Sequence, residues 1–259
     1  MTLSLSLEGK NAIVTGGSRG IGSEIAQELA RRGASVLITY VSSKAGADKT
    51  LAAVSSVAAR GAKAVAVQAD CAKATEAAER IVSEANKVFG RAIDIVVNNA
   101  AYGFDASLAE VTEENFDQVF HTNVLFPMML VRQCRPSLRK GARIVNISST
   151  AARAAYTSAI TYAASKAALE SITKTLAFEL GRELQATVNA VNPGPIRTDM
   201  WNNTPGAEEA ERLIHPRTAA GDRIGEVSDV APIVAFLCEE QSRWVTGSVT
   251  CANGGYVFV

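Results

Sequence analysis

The chain has 259 residues, 47% of them hydrophobic, with 26 basic and 26 acidic side chains and no net charge. That is ample apolar material for one large α/β domain, and the balanced, scattered charge advertises neither a nucleic-acid surface nor a polybasic membrane anchor. Cys71, Cys134, Cys238 and Cys251 stand far apart with no Cys-x-x-Cys and no nearby histidine ligands, so neither a metal site nor a disulfide framework is expected.

The opening Met-Thr-Leu-Ser-Leu-Ser-Leu-Glu carries no cationic leader, and no later stretch reaches the roughly 18 apolar residues that span a bilayer, so a soluble, cytoplasmic protein is expected. The first strand is predicted over Asn11 to Thr15. Directly after it, Thr15-Gly-Gly-Ser-Arg-Gly-Ile-Gly22 opens a helix patterned by Ile21, Ile25 and Leu29 and stopped by Gly33. Glycines at a strand-turn-helix junction permit positive φ and close backbone approach, and the helix N-terminus offers unpaired N–H groups to a pyrophosphate. Gly16, Ser18, Arg19, Gly20, Ile21 and Gly22 are therefore candidate cofactor contacts, although the spacing Gly16-x-x-x-Gly20-x-Gly22 departs from Gly-x-Gly-x-x-Gly.

The second strand, Ser35 to Tyr40, runs into Val41-Ser42-Ser43-Lys44 with no carboxylate before Asp48. An acidic residue there would bind the ribose of NAD and repel a 2′-phosphate. Its absence, the cations Arg19 and Lys44, and the hydroxyls of Ser42 and Ser43 beside Tyr40 predict NADP(H) instead. Further strands are predicted over Lys63 to Gln68, Ile93 to Asn98, Arg143 to Ser148, Thr187 to Asn192 and Ser248 to Ala252. A helix patterned by Ile81, Val82, Ala85 and Val88 is stopped by Gly90. Strand and helix alternate, which predicts an α/β fold: a single doubly wound, Rossmann-like domain over residues 1–259, its seven-stranded parallel sheet covered by helices on both faces.

Tyr162 and Lys166, four residues apart, stack a phenol and an ammonium on one helical face. Bringing a Tyr that titrates near 10 to work near pH 7 takes about 4 kcal/mol, and a neighbouring cation acts in that direction. Taken alone the spacing is weak, because any amphipathic helix can carry it by chance. From Pro193 to Glu226 the alternation breaks, and a lid is predicted around residues 195–225. The apolar ending Gly255-Tyr-Val-Phe-Val259 predicts burial against a neighbour and hence a homo-oligomer.

With Thr15 to Gly22, Asn98-Asn-Ala100, Asn123, Ser149, Tyr162-x-x-x-Lys166 and Pro193-Gly194 in this order, the chain resembles the short-chain dehydrogenase/reductase family over essentially its whole length. Within that family it looks closest to the NADPH-dependent fungal hydroxynaphthalene and polyketide ketone reductases. The resemblance implies a small-molecule ketone or alcohol as substrate and a tetramer as the common assembly. It makes Ser149 the donor to the substrate oxygen, Tyr162 the proton donor, Lys166 the residue that tunes Tyr162 and grips the nicotinamide ribose, and Asn123 the holder of a relay water. It further implies adenosine contacts from Asp70, Cys71, Asn98 and Ala100, and nicotinamide contacts from Pro193, Ile196 and Thr198. Phe104, Tyr156, Met200 and Trp201 are candidates for the substrate cleft, while His121 and His215 are given no catalytic role. A 3-oxoacyl-carrier-protein reductase, a broad carbonyl reductase and a non-enzymatic NADP sensor are the alternatives; the sensor has no use for Ser149, Tyr162 and Lys166. Two departures stand out: Ala101 where the family usually has Gly, and Asn253 where it usually has Asp.

Overall fold

Strands β1 (Asn11–Val14), β2 (Ser35–Tyr40), β3 (Ala64–Gln68) and β4 (Ile93–Asn98) alternate with helices α1 (Gly20–Arg31), α2 (Lys44–Val57) and α3 (Ala74–Phe89). Helices α4 (Glu113–Phe120) and α5 (Phe126–Cys134) then lead to β5 (Leu138–Ile147). After it come α6 (Ile160–Leu184), β6 (Thr187–Pro193), α7 (Asp199–Asn202), α8 (Ala207–Ile214), α9 (Val227–Cys238) and β7 (Val249–Ala252). The computed structural model describes residues 6–59, 61–103, 106–203 and 206–258. Phe104 lies outside the described residues, as does the side chain of Met200.

All seven strands are parallel, in the order β3-β2-β1-β4-β5-β6-β7. Successive side chains on a strand point to opposite faces, so each strand feeds two cores. Ala12, Val14, Val36, Ile38, Ile95, Val97, Val145 and Val191 pack under α1 and α9 with Ile25, Leu29, Val230 and Val234. Ile13, Leu37, Val96, Ile144 and Val188 pack under α3, α5 and α6 with Ile81, Leu130 and Leu180. Burial on both faces is why these strands read as continuous apolar runs. The fifth strand starts at Leu138, five residues before the predicted Arg143, because a register shift opposite Ile93 and Ile95 lets the ladder continue past Gly141.

Helix α6 buries one stripe that changes character along its length. Ala177 and Leu180 are apolar, whereas Thr161, Ser165, Lys166, Glu170 and Thr173 place polar groups inside. The polar half meets a matching set in the sheet, where the register partners Asn98 and Asn146 bond through Asn98 Nδ2 to Asn146 Oδ1 at 2.7 Å, and Asn146 Nδ2 donates to Thr173 Oγ1 at 2.9 Å. The segment predicted as a lid is an excursion with tied ends rather than an open loop. Arg197 N donates to Gly225 O and Gly225 N to Pro195 O, and α7 and α8 lie between. Among the described residues no helix is long and apolar enough to cross a membrane.

Candidate active site

The strand order reverses between β1 and β4, and the carboxyl ends of strands at such a switch point form the binding crevice of open α/β sheets. The glycine turn leaves β1 at this point. Gly16 and Gly20 adopt φ values of 64° and 56°, which glycine reaches without the strain a Cβ adds. A Cβ on Gly22 would meet the Asn99 side chain and come within 2.5 Å of Gly16 O, and one on Gly17 would lie 2.6 Å from Ile38 Cβ. Helix α1 carries no side-chain cap at Arg19, so its first-turn N–H groups and positive dipole end remain for an anion. The turn is held from β4: Asn99 Nδ2 donates to Thr15 O at 2.8 Å and Gly16 O at 3.1 Å, and Thr15 Oγ1 accepts from the N–H groups of Asn99 and Ala100. Asn99 was not among the predicted residues, and its neighbour Asn98 has its side chain turned into the sheet toward Asn146.

Past the carboxyl end of β2, Ser43 Oγ accepts from Gly46 N and caps α2. Gly46 sits so close to the glycine turn that a Cβ there would lie 2.7 Å from Ser18 O. Lys44 pairs with Asp48 at 2.7 Å in solvent, and the hydrogen bond to that carboxylate pushes its pKa up. Arg19 is exposed and stands as the cation at this end without such a partner among the described ion pairs. Asp70 is exposed, one carboxylate oxygen accepting from Ala72 N at 3.1 Å. Cys71 is buried beside it, which pushes the thiol up to about 12. Tyr40 is half-buried and packs on the first core.

At the chemical end, Lys166 is 2% exposed, its Nζ donates to Ile147 O at 2.8 Å, and it stands 5.6 Å from the centroid of the Tyr162 ring. Burial pulls the ammonium down to about 8. The adjacent serines part company because the backbone stays extended past the end of β5. Ser148 is buried and donates to Glu170 Oε1 at 2.8 Å. Ser149 is half-buried, and its Oγ accepts from Ala151 N at 3.2 Å, leaving its own O–H to donate. Asn123 lies in a π-helical turn, residues His121–Leu125, between α4 and α5. Its side chain is engaged within the protein. Nδ2 donates to Tyr102 O and Ser165 Oγ, both at 3.0 Å, and Oδ1 accepts from Tyr102 N at 2.8 Å, so the amide ties the post-β4 loop to α6.

Beyond the 3-10 turn that follows Ser149, Tyr156 is half-buried with its hydroxyl donating to Thr150 Oγ1 at 3.1 Å, and burial pushes its pKa up to about 12. Pro193 ends β6, and the Ile196 side chain turns into the first core, leaving only backbone for a ligand. Thr198 caps α7 and sets its methyl 3.4 Å from the Cβ position of Gly20, next to the glycine turn. Trp201 is fixed through Nε1 to Glu211 Oε1 at 2.8 Å, and Glu211 also takes Arg197 at 3.0 Å. The two departures from the family pattern have structural accounts. Ala101 is exposed, so its methyl crowds nothing in the turn. Asn253 Nδ2 donates to Val257 O, which an Asp carboxylate could not do, while its Oδ1 accepts from Gly255 N.

Residues 16–257 match the family described as Enoyl-(Acyl carrier protein) reductase. The chain is 48% identical over 98% of both lengths to the short-chain dehydrogenase/reductase FrzI of Cladobotryum sp. It is 39% identical to the hydroxynaphthalene reductase-like protein Arp2 of Metarhizium robertsii, covering 97% of this chain and 96% of that one. A short-chain dehydrogenase of Burkholderia cenocepacia solved in complex with NADP superposes with a TM-score of 0.88 at 38% identity, covering 97% of this chain and 99% of that one.

Proposed function

The chain belongs to the short-chain dehydrogenase/reductase family, and from that premise we propose that it reduces a cyclic, aromatic or polyketide-like ketone to an alcohol with NADPH. The observation that carries this reading is the placement of the Tyr162 phenol beside a buried Lys166 that is bonded to the end of β5, where Ser149 follows. The glycine turn fits a dinucleotide: it leaves no room for a Cβ at Gly17 or Gly22, its helix end is uncapped, and Thr198 stands over Gly20. Gly16, Ser18, Gly20, Ile21 and Gly22 would hold the pyrophosphate, Arg19 with Ser42 and Ser43 the 2′-phosphate, Asp70 the adenine amino group, and Lys166 the nicotinamide ribose. The preference for NADP is supported by the missing carboxylate after β2 and by the Burkholderia relative's complex.

When bound, the reduced nicotinamide supplies the hydride. Ser149 donates a hydrogen bond to the carbonyl oxygen, where negative charge grows as the carbon is attacked. Tyr162 gives that oxygen its proton, and the ammonium of Lys166 favours the phenolate left behind. On this reading the half-buried ring of Tyr156 and the indole of Trp201 are the apolar surfaces offered to a ring-bearing substrate. The similarity to Arp2 favours the same class. A homo-oligomer is part of this reading, since Phe178 on α6, Trp244 and Phe258 are 74%, 95% and 82% exposed. Light scattering that returned a mass of 27.2 kDa, one chain, would contradict it.

Loss of NADPH absorbance over a panel of tetralone-type ketones, 3-oxoacyl thioesters and 2-enoyl thioesters tests the reaction, with NADH run in parallel. The expected result is turnover of cyclic ketones with NADPH at about tenfold or better over NADH, the worth of one charged contact. Turnover confined to enoyl thioesters, or a preference for NADH, sinks the reading.

A further inference from the structure

Glu170 lies one turn beyond Lys166 on α6 and takes no part in the reaction as described above. Its side chain is 4% exposed, and three donors converge on it. Oε1 accepts from Ser148 Oγ at 2.8 Å and from Asn192 Nδ2 at 3.0 Å, and Oε2 accepts from Arg153 Nε at 2.6 Å. The same Asn192 amide donates to Ser149 O at 2.7 Å. Lys166 Nζ holds the carbonyl of Ile147, the residue before Ser148. Three consecutive residues, Ile147, Ser148 and Ser149, are thus fastened to the helix that carries Tyr162, the last of them through Asn192.

A carboxylate out of water is costly unless its partners are complete. Here the donor set is matched to it: a hydroxyl, an amide and a guanidinium all give hydrogens, and a carboxylate alone accepts all three without offering one. Such an arrangement does more than hold two elements together. The Ser149 hydroxyl and the Tyr162 phenol must meet at one substrate oxygen, and misplacement by about 1 Å can cost up to a hundredfold in rate. Ser149 begins the short 3-10 turn Thr150–Ala152, and the chain beyond it reaches α6 through a segment in which Ser158 has φ 61°. The Glu170 clamp ties the residues that flank that turn, Ser148 before it and Arg153 after it, directly to α6.

We infer that Glu170 is a positioning residue for the reaction: by holding Ser148, Asn192 and Arg153 it sets where the Ser149 hydroxyl stands relative to Tyr162. The inference rests on the reading of Ser149 as donor to the substrate oxygen, and a double-mutant cycle separates the two. Glu170→Gln keeps shape but turns an amide N–H₂ toward one of the donors. It is expected to lower kcat about tenfold, with the NADPH dissociation constant within about twofold of wild type. In a Ser149→Ala background the same change is expected to cost less than about twofold, because the group it positions is gone. Equal losses in both backgrounds, or wild-type kcat in Glu170→Gln, overturn the inference and leave the reading of Ser149 standing. Wild-type kcat in Ser149→Ala overturns both. If Glu170→Gln does not fold, Arg153→Ala releases the clamp from its solvent side, where the side chain is 32% exposed. It is then expected to lose about threefold in kcat with Ser149 present and nothing measurable without it; the same loss with and without Ser149 overturns the inference.

Discussion

The polar half of the α6 stripe and the excursion from Ile196 to Gly225 are built from the same materials, carboxylates with arginines and amides, yet they differ in access to water. Glu170 is 4% exposed, whereas Arg197 and Glu226 are 43% and 48% exposed and Arg223 and Asp229 are 53% and 42% exposed. Exposed pairs contribute about 0–1 kcal/mol each and weaken in salt, while breaking a buried set leaves a group without its partner and costs several times more. The difference teaches that the corner carrying Ser149, Tyr162 and Lys166 is fixed in advance, whereas the excursion, which the proposed function sets beside the substrate, is tied at its ends by pairs that cost little to break.

The largest effect that would sharpen this contrast comes from Lys166→Met. Loss of the ammonium beside Tyr162 is expected to lower kcat by about a hundredfold or more, read from initial rates. The same variant reports burial through pH. Lys166 titrates at about 8 in the folded protein against an ordinary 10.5, so between those values the unfolded chain binds the extra proton and stability rises with pH. Below pH 8 both states hold the proton, and the full burial penalty is present. Without cofactor, the melting temperature of wild type relative to Lys166→Met should therefore climb from pH 8 to pH 10; a flat difference would mean that water reaches the ammonium. A smaller effect is expected from Thr173→Val, which leaves Asn146 Nδ2 without its acceptor in the core. The expected loss is about 1–3 kcal/mol in urea unfolding, and a neutral result would show that the buried polar ladder is not specified by its partners. Smallest is Glu211→Gln in the excursion. Stability should change by less than about 1 kcal/mol, with the ketone KM raised severalfold and kcat kept. A fall in kcat at unchanged KM would erase the distinction between the two regions.

The fold was legible because buried parallel strands need β-branched and apolar residues at every position, and Ser35–Tyr40 and Ile93–Asn98 match the predicted bounds. Glycine signalled the turn for a like reason, since at Gly16 and Gly22 no other residue fits. Side-chain direction was harder to read. Alternation separates Ser148 from Ser149 because the backbone stays extended past the end of β5, but it does not say which of Asn98 and Asn99, at the end of β4, holds the glycine turn. Asn123 shows a second limit: a polar residue in a helix announces a polar partner without saying whether the partner is water or backbone. Helix α8 is hidden inside a segment rich in Pro, Gly and charge, although Glu208, Glu209 and Arg212 follow Gly206 with the charge order that suits a helix dipole. Glu170 left one usable signal, an acid four residues after Lys166 on the buried face of a helix, where a lone carboxylate has no other reason to be.

The central claim is that Tyr162 protonates a carbonyl oxygen beside bound NADPH. It is tested most directly by Tyr162→Phe, comparing kcat for a ketone that wild type reduces with the NADPH dissociation constant from fluorescence titration. The account predicts a loss in kcat of about a thousandfold with cofactor affinity within about twofold of wild type. A variant that binds NADPH and keeps a tenth or more of wild-type kcat would contradict it.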